Sequence, residues 1–176
     1  LSQGFTMGLD GQSIFCHFGD EVGTYLNPSM ANLVNGQWNH IAMTRDSQNN
    51  ATCWFNGQPI AFGTYNGPLT TTDELYIGDC DNELATSAYN TDGHISSLRI
   101  SDSVRYTNGF IPMPLASDND TVSFVSFAAQ NATDEVGNTQ GSYIGGPTLD
   151  FTCPEEDLDG DGYAAWEDCD DNDASI

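Results

Sequence analysis

The chain has 176 residues, 38% of them hydrophobic and 11% aromatic, which is enough for one buried core and a short appendage and speaks against a disordered acidic chain. Its net charge is −23: 26 Asp and Glu stand against three arginines, Arg45, Arg99 and Arg105, and no lysine. Such a surface repels phosphate backbones and anionic headgroups, so nucleic acid and anionic membrane surfaces are poor partners, whereas divalent cations suit it.

Strand signals run along the chain, with turn signals recurring roughly every 8 to 15 residues. Residues 4–9 alternate, Asp10-Gly11 supplies a hairpin turn, and 13–18 alternate again. Residues 38–44 read as a strand after Asn35-Gly36, and 51–55 as another that closes on Asn56-Gly57. Further strands are expected at 74–77, 94–100, 121–127 and 142–151, with one short turn at 101–108. No segment carries a sustained helical period. Many short strands with Gly, Asn and Pro turns predict an all-β fold, an antiparallel β-sandwich of the jelly-roll type.

After Cys153-Pro154 the composition turns to Asp and Gly with little to bury, which divides the chain into a sandwich domain at 1–152 and an Asp-rich segment at 153–176. No apolar run has membrane-spanning length, so direct membrane insertion is not expected, and no signal-peptide pattern is read within residues 1–176. The chain opens at Leu1 inside a strand-like pattern and ends at Ile176 inside an acidic motif, which reads as a portion of a longer polypeptide.

Several segments resemble the laminin-G-like, or concanavalin A-like, jelly-roll superfamily. They are Trp38-Asn-His40-Ile-Ala-Met-Thr-Arg45-Asp, Cys53-Trp-Phe-Asn56-Gly57, Leu75-Tyr-Ile-Gly78, Gly93-His-Ile-Ser-Ser-Leu-Arg99-Ile and Val104-Arg105-Tyr-Thr, in the family's order. The resemblance covers roughly residues 1–150 and implies the jelly-roll fold. Members usually carry an opening strand and a framework segment before the position of Leu1. The first strand is therefore expected either from preceding residues or from a partner, with 121–127 and the strand ending at Phe151 as candidates to close the sheet in cis. Trp38 is expected to anchor the core and His40 to be packed or hydrogen-bonded, not a ligand. The three arginines are expected to pair with carboxylates and to stabilise the fold.

The sharpest chemical motif is Asp157-Leu-Asp159-Gly-Asp161-Gly162-Tyr163-Ala-Ala-Trp-Glu167-Asp168, followed by Cys169-Asp170-Asp171-Asn172-Asp173. Carboxylates at loop positions 1, 3 and 5 with glycine at 6 match an EF-hand calcium loop, with the Tyr163 carbonyl at position 7 and Asp168 at position 12. Ca2+ takes about six to eight oxygens, and alternation by two lets successive side chains converge on it. No amphipathic helix flanks the loop, so the segment resembles the Asp-rich repeats of extracellular proteins, such as thrombospondin type 3 repeats, in which a second acidic run holds further calcium. The resemblance makes Asp170, Asp171 and Asp173 ligands of that kind. The expected affinity class is extracellular, about 10⁻⁴–10⁻³ M. The alternative is a solvated acidic tail, in which the ten acids from Glu155 to Asp173 would repel one another without a counterion. A second metal loop at Asp79-Cys80-Asp81-Asn82-Glu83 competes with a plain exposed loop there.

Five cysteines, Cys16, Cys53, Cys80, Cys153 and Cys169, lack zinc-site spacing and suit disulfides in a secreted or cell-surface protein. Cys153–Cys169 would close the acidic loop, worth roughly 3 kcal/mol in the chain-entropy model. Cys53–Cys80 is the other expected bridge, leaving Cys16 free or bridging to another chain. Asn50, Asn119 and Asn131 open N-glycosylation tripeptides.

No nucleophile elbow, phosphate-binding loop or zinc-protease motif occurs. Related glucanases place paired carboxylates on one concave strand, whereas the acids of this chain fall in turns, so no enzymatic activity is expected and a remote glycoside hydrolase ranks third. The leading expectation is an extracellular calcium-binding structural or adhesive module, self-assembling or joined to another surface protein, for instance in a filament. The alternative is a carbohydrate-binding, lectin-like module that presents Trp54, Tyr65 or Tyr89 to a glycan.

Overall fold

The computed structural model describes residues 4–10, 13–19, 24–26, 37–70, 75–78, 93–127, 132–137 and 141–142. Eight strands occur in chain order: β1 (Phe5–Asp10), β2 (Ser13–Phe18), β3 (Thr24–Leu26), β4 (Ile41–Arg45), β5 (Asn50–Phe55), β6 (Gln58–Thr64), β7 (Ser97–Ser101) and β8 (Thr121–Ser126). All strand pairs are antiparallel, and no α-helix occurs among the described residues. The chain divides into two compact units, one of Leu1–Gly93 with Val104–Ile111 and the other of His94–Ser103 with Pro112–Ile176.

In the first unit, β1-β2-β3 and β4-β5-β6 form two three-stranded sheets. Period-two alternation turns Ile14, Cys16 and Phe18 of β2 inward, and Ala51 and Cys53 of β5 do the same. Together with Leu26 and Tyr65 they form the buried core, against which Met7, Ile41, Met43, Phe55, Ile60 and Ala61 pack. Burying each large side chain of this kind contributes roughly 1.5–3 kcal/mol.

A disulfide joins Cys16 to Cys53, with Cα atoms 5.9 Å apart and both residues 0% exposed. This corrects the expected Cys53–Cys80 bridge and the free Cys16. The physical reason is that both cysteines sit mid-strand on inward faces of facing sheets, which brings their Cβ atoms within bonding reach.

The β5–β6 hairpin turns on Asn56 (φ 44°) and Gly57 (φ 75°), the two positive angles that a type I′ turn requires. In β6, Ile60 is a bulge, because Cys53 pairs with Ala61 while Trp54 pairs with Pro59. Pro59 has no N–H to give to a regular ladder, and a bulge is where a strand tolerates it. The expected strand at 74–77 is not found over its described part: residues 75–78 are outside any strand, and Leu75 and Ile77 are 49% and 37% exposed. The expected 38–44 strand begins later, at Ile41.

In the second unit, β7 and β8 pair from Ser97↔Ser126 to Ser101↔Thr121, with Phe124 and Val125 buried. The expected strands at 94–100 and 121–127 are thus partners of each other. The turn entering β8 is closed by Asp118, whose N–H donates to Thr121 Oγ1 at 2.9 Å and whose Oδ1 accepts from that hydroxyl at 2.9 Å.

Candidate functional site

The expected calcium ligands, Asp157, Asp159, Asp161, Tyr163, Asp168, Asp170, Asp171 and Asp173, lie outside the described residues, as do Cys80, Cys153, Cys169, Tyr89, Asn131 and the rim acids Asp79, Asp81 and Glu83. Among the described residues no group of three or more His, Cys, Asp or Glu is placed to hold a metal ion.

Among the described acids, Asp46 and Asp134 instead close turns. Asp46 Oδ1 accepts the N–H groups of Gln48 (2.8 Å) and Asn50 (2.9 Å), and Oδ2 accepts Asn50 Nδ2 at 2.8 Å. The Asn50 side-chain amide, then its backbone N–H, hold the Asp46 carboxyl below its usual range. Asp134 Oδ1 accepts N–H groups from Phe124 (3.1 Å), Val136 (3.0 Å) and Gly137 (3.0 Å). Burial pushes the Asp134 carboxyl up, but the bonds from Gly137, Phe124, Ser123 and Val136 outweigh it and bring it down to about 2. These carboxylates satisfy backbone donors that would otherwise lack acceptors.

The outer face of β4-β5-β6 carries an aromatic cluster. Trp54, only 3% exposed, donates from Nε1 to Thr44 Oγ1 on β4 at 2.9 Å. Residues 104–111 lie over it. Tyr106 and Phe110 stack at 3.7 Å with planes 7° apart, and their rings lie 6.1 Å and 5.9 Å from Trp54. Phe110 is anchored by its N–H to the Gly57 carbonyl at 3.0 Å. His40 meets Tyr106 and Phe110 edge-on at 5.7 Å and 5.3 Å, with its Nε2 3.4 Å from the Tyr106 hydroxyl. His40, just ahead of β4, is therefore packed and hydrogen-bonded as expected.

Tyr65, 8% exposed, donates to the Pro68 carbonyl at 3.1 Å, lies against Phe18 at 6.1 Å and has the Arg45 guanidinium 5.2 Å above its ring. Two of the three expected glycan-facing aromatics, Trp54 and Tyr65, are thus buried. Trp54 is covered by residues 104–111, and Tyr65 falls into the inter-sheet core. The correction runs the other way for Trp38, expected as the core anchor but 43% exposed, because it precedes β4 instead of lying in it. Arg45 was expected to meet a carboxylate. Its partners among the described residues are neutral, the Tyr65 ring and Asn49 Oδ1 at 2.6 Å. Arg99 Nη1 donates to the Ala116 carbonyl at 3.0 Å.

Residues 2–107 match the family model described as the concanavalin A-like lectin/glucanases superfamily. The chain belongs to this superfamily. No curated protein and no solved structure gives a match. The superfamily includes both sugar-binding lectins and glucanases by name, so membership fixes the fold and leaves the chemistry to the residues. Sequence reasoning missed the burial of Trp54. No local signal marked it, because its cover comes from Tyr106 and Phe110, far along the chain.

Proposed function

We propose that this superfamily member is an extracellular calcium-binding module with a structural or adhesive role, joined to copies of itself or to another surface protein. The observation that carries the extracellular setting is the Cys16–Cys53 disulfide, with both residues 0% exposed in the core. Such bridges persist in oxidising compartments. The calcium reading rests on the sequence: Asp157, Asp159, Asp161, the Tyr163 carbonyl and Asp168 bind one ion, and Asp170, Asp171 and Asp173 contribute to another. Bound Ca2+ would neutralise the mutual repulsion of these acids and stiffen the segment.

The non-enzymatic reading is supported by the placement of acids. Across the eight described strands Asp10 is the only carboxylate, whereas a retaining glucanase needs two about 5–5.5 Å apart. Lectin-like glycan binding is the second reading. It is favoured by the superfamily and by the exposure of Trp38, an aromatic face open to a sugar ring.

The test is calcium titration by calorimetry with light scattering on the same sample, for the wild type and for Asp159→Ala/Asp161→Ala. Binding that the double variant loses, with calcium-dependent growth in mass, is the expected result. Binding without growth, together with retention on a glycan column, moves the assignment to a monomeric lectin-like module. No binding at millimolar calcium overturns the calcium reading.

A further inference from the structure

Four Asn-Gly pairs occur in the chain, at 35–36, 56–57, 66–67 and 108–109, and the last three are described. Glycine carries no Cβ to hinder its own nitrogen from approaching the preceding side-chain amide, so the local structure decides which pair reacts. At Asn56 the side chain is held at both ends: Oδ1 accepts the His40 N–H at 2.8 Å and Nδ2 donates to Asn39 Oδ1 at 3.2 Å. Its backbone N–H donates to the His40 carbonyl at 2.8 Å, and Gly57 is buried. At Asn66, Oδ1 accepts Asn49 Nδ2 at 3.3 Å, and Gly67 is packed against the Tyr65 hydroxyl and ring. Asn108 and Gly109 are both exposed, and among the described residues the Asn108 amide bonds only to the adjacent Thr107 Oγ1 at 3.2 Å. The Gly109 N–H takes part in no strand ladder.

We propose that Asn108 is a modification site, the one of the three described Asn-Gly pairs at which the folded chain deamidates through a succinimide. The Gly109 nitrogen attacks Asn108 Cγ and forms the new N–Cγ bond. The Cγ–Nδ2 bond breaks, and ammonia leaves with the proton from the Gly109 N–H. Water then opens the imide at either carbonyl to give aspartate or isoaspartate, with no change of oxidation state. The isoaspartate product adds a backbone methylene and a negative charge just before Phe110, the residue whose N–H anchors the cover over Trp54 to Gly57. Modification therefore loosens that cover.

The test is ageing of the purified full chain at mildly alkaline pH, followed by peptide mass mapping and isoaspartate quantification. The variant is Gly109→Ala. A Cβ there meets only the end of the Gln58 side chain at 3.4 Å and the Gly57 carbonyl at 3.6 Å, and Gly109 has no positive φ, so the fold is retained. Asn108→Gln is the second variant. The expected result is conversion at Asn108 before Asn56 and Asn66, loss of the isoaspartate product in both variants, and a change in near-ultraviolet circular dichroism in step with conversion of the wild type. Equal or faster conversion at Asn56 or Asn66, or an unchanged rate at residue 108 in Gly109→Ala, overturns the proposal.

Discussion

Cys16 of β2 and Cys53 of β5 are bonded across the two sheets of the first unit, 37 residues apart in sequence and fully shielded from solvent. A closed loop of this size removes freedom chiefly from the unfolded chain and is typically worth about 2–4 kcal/mol. The Cys16→Ser/Cys53→Ser variant is expected to lose stability of that order in urea unfolding. Because the bridge is buried, mild reductant should leave the native wild type intact and act only once the chain unfolds. Rapid reduction of the folded protein would contradict the buried geometry.

Trp54 Nε1–H and Thr44 Oγ1 make a second cross-strand link, 2.9 Å long. Thr44→Val keeps the shape but leaves a buried donor without its acceptor, at a cost of about 1–3 kcal/mol. Trp54→Phe removes the donor as well. In a double-mutant cycle, Thr44→Val is therefore expected to cost less in the Trp54→Phe background than in the wild type. Strict additivity in thermal or urea unfolding would show that the pair does not interact.

Asp134 predicts an acid-labile turn. Its carboxyl lies at about 2 in the folded chain, below the ordinary 3.8. A depressed folded-state value means stability that is present above the ordinary value and lost as pH falls towards 2. Asp46, also depressed, has the same sign. Unfolding followed between roughly pH 6 and pH 2 should show Asp134→Asn with a weaker acid dependence than the wild type, although it starts from lower stability.

Gly19 adopts φ +94°, and a Cβ there would lie 2.6 Å from Tyr65 Cε2. Gly19→Ala combines a left-handed backbone with overlap against a buried ring and is expected to destabilise the fold by about 1–3 kcal/mol. Chemical denaturation measures this directly. A neutral result would mean that the Tyr65 ring is free to move away from the core.

Six of the eight described strands were legible because alternation and turn chemistry agree in them, as in β5, where the inward Ala51 and Cys53 precede Asn56-Gly57. β6 was hidden by Pro59 and Gly63, residues that argue against a regular strand and that a bulge accommodates. β3 spans only Thr24–Leu26, too short for a period to show. The disulfide partner was not legible because pairing depends on which faces meet in space. A local cue existed, since Cys16 lies between Ile14 and Phe18 at inward spacing, whereas Cys80 lies among acids. Trp54 shows the same limit: one residue cannot reveal that a segment some fifty positions later, Tyr106 to Phe110, will cover it.

The cross-sheet bond also has a mechanical meaning. Tension drawn along the backbone passes from residue 16 to residue 53 through sulfur, so the intervening chain carries no load while the bond holds. At roughly 3.3–3.6 Å per residue, well over 100 Å of contour is thereby withheld from extension. A tether made of such units would be short and stiff in an oxidising medium and would lengthen in steps, as stored slack, wherever a reductant reached the opened sheets.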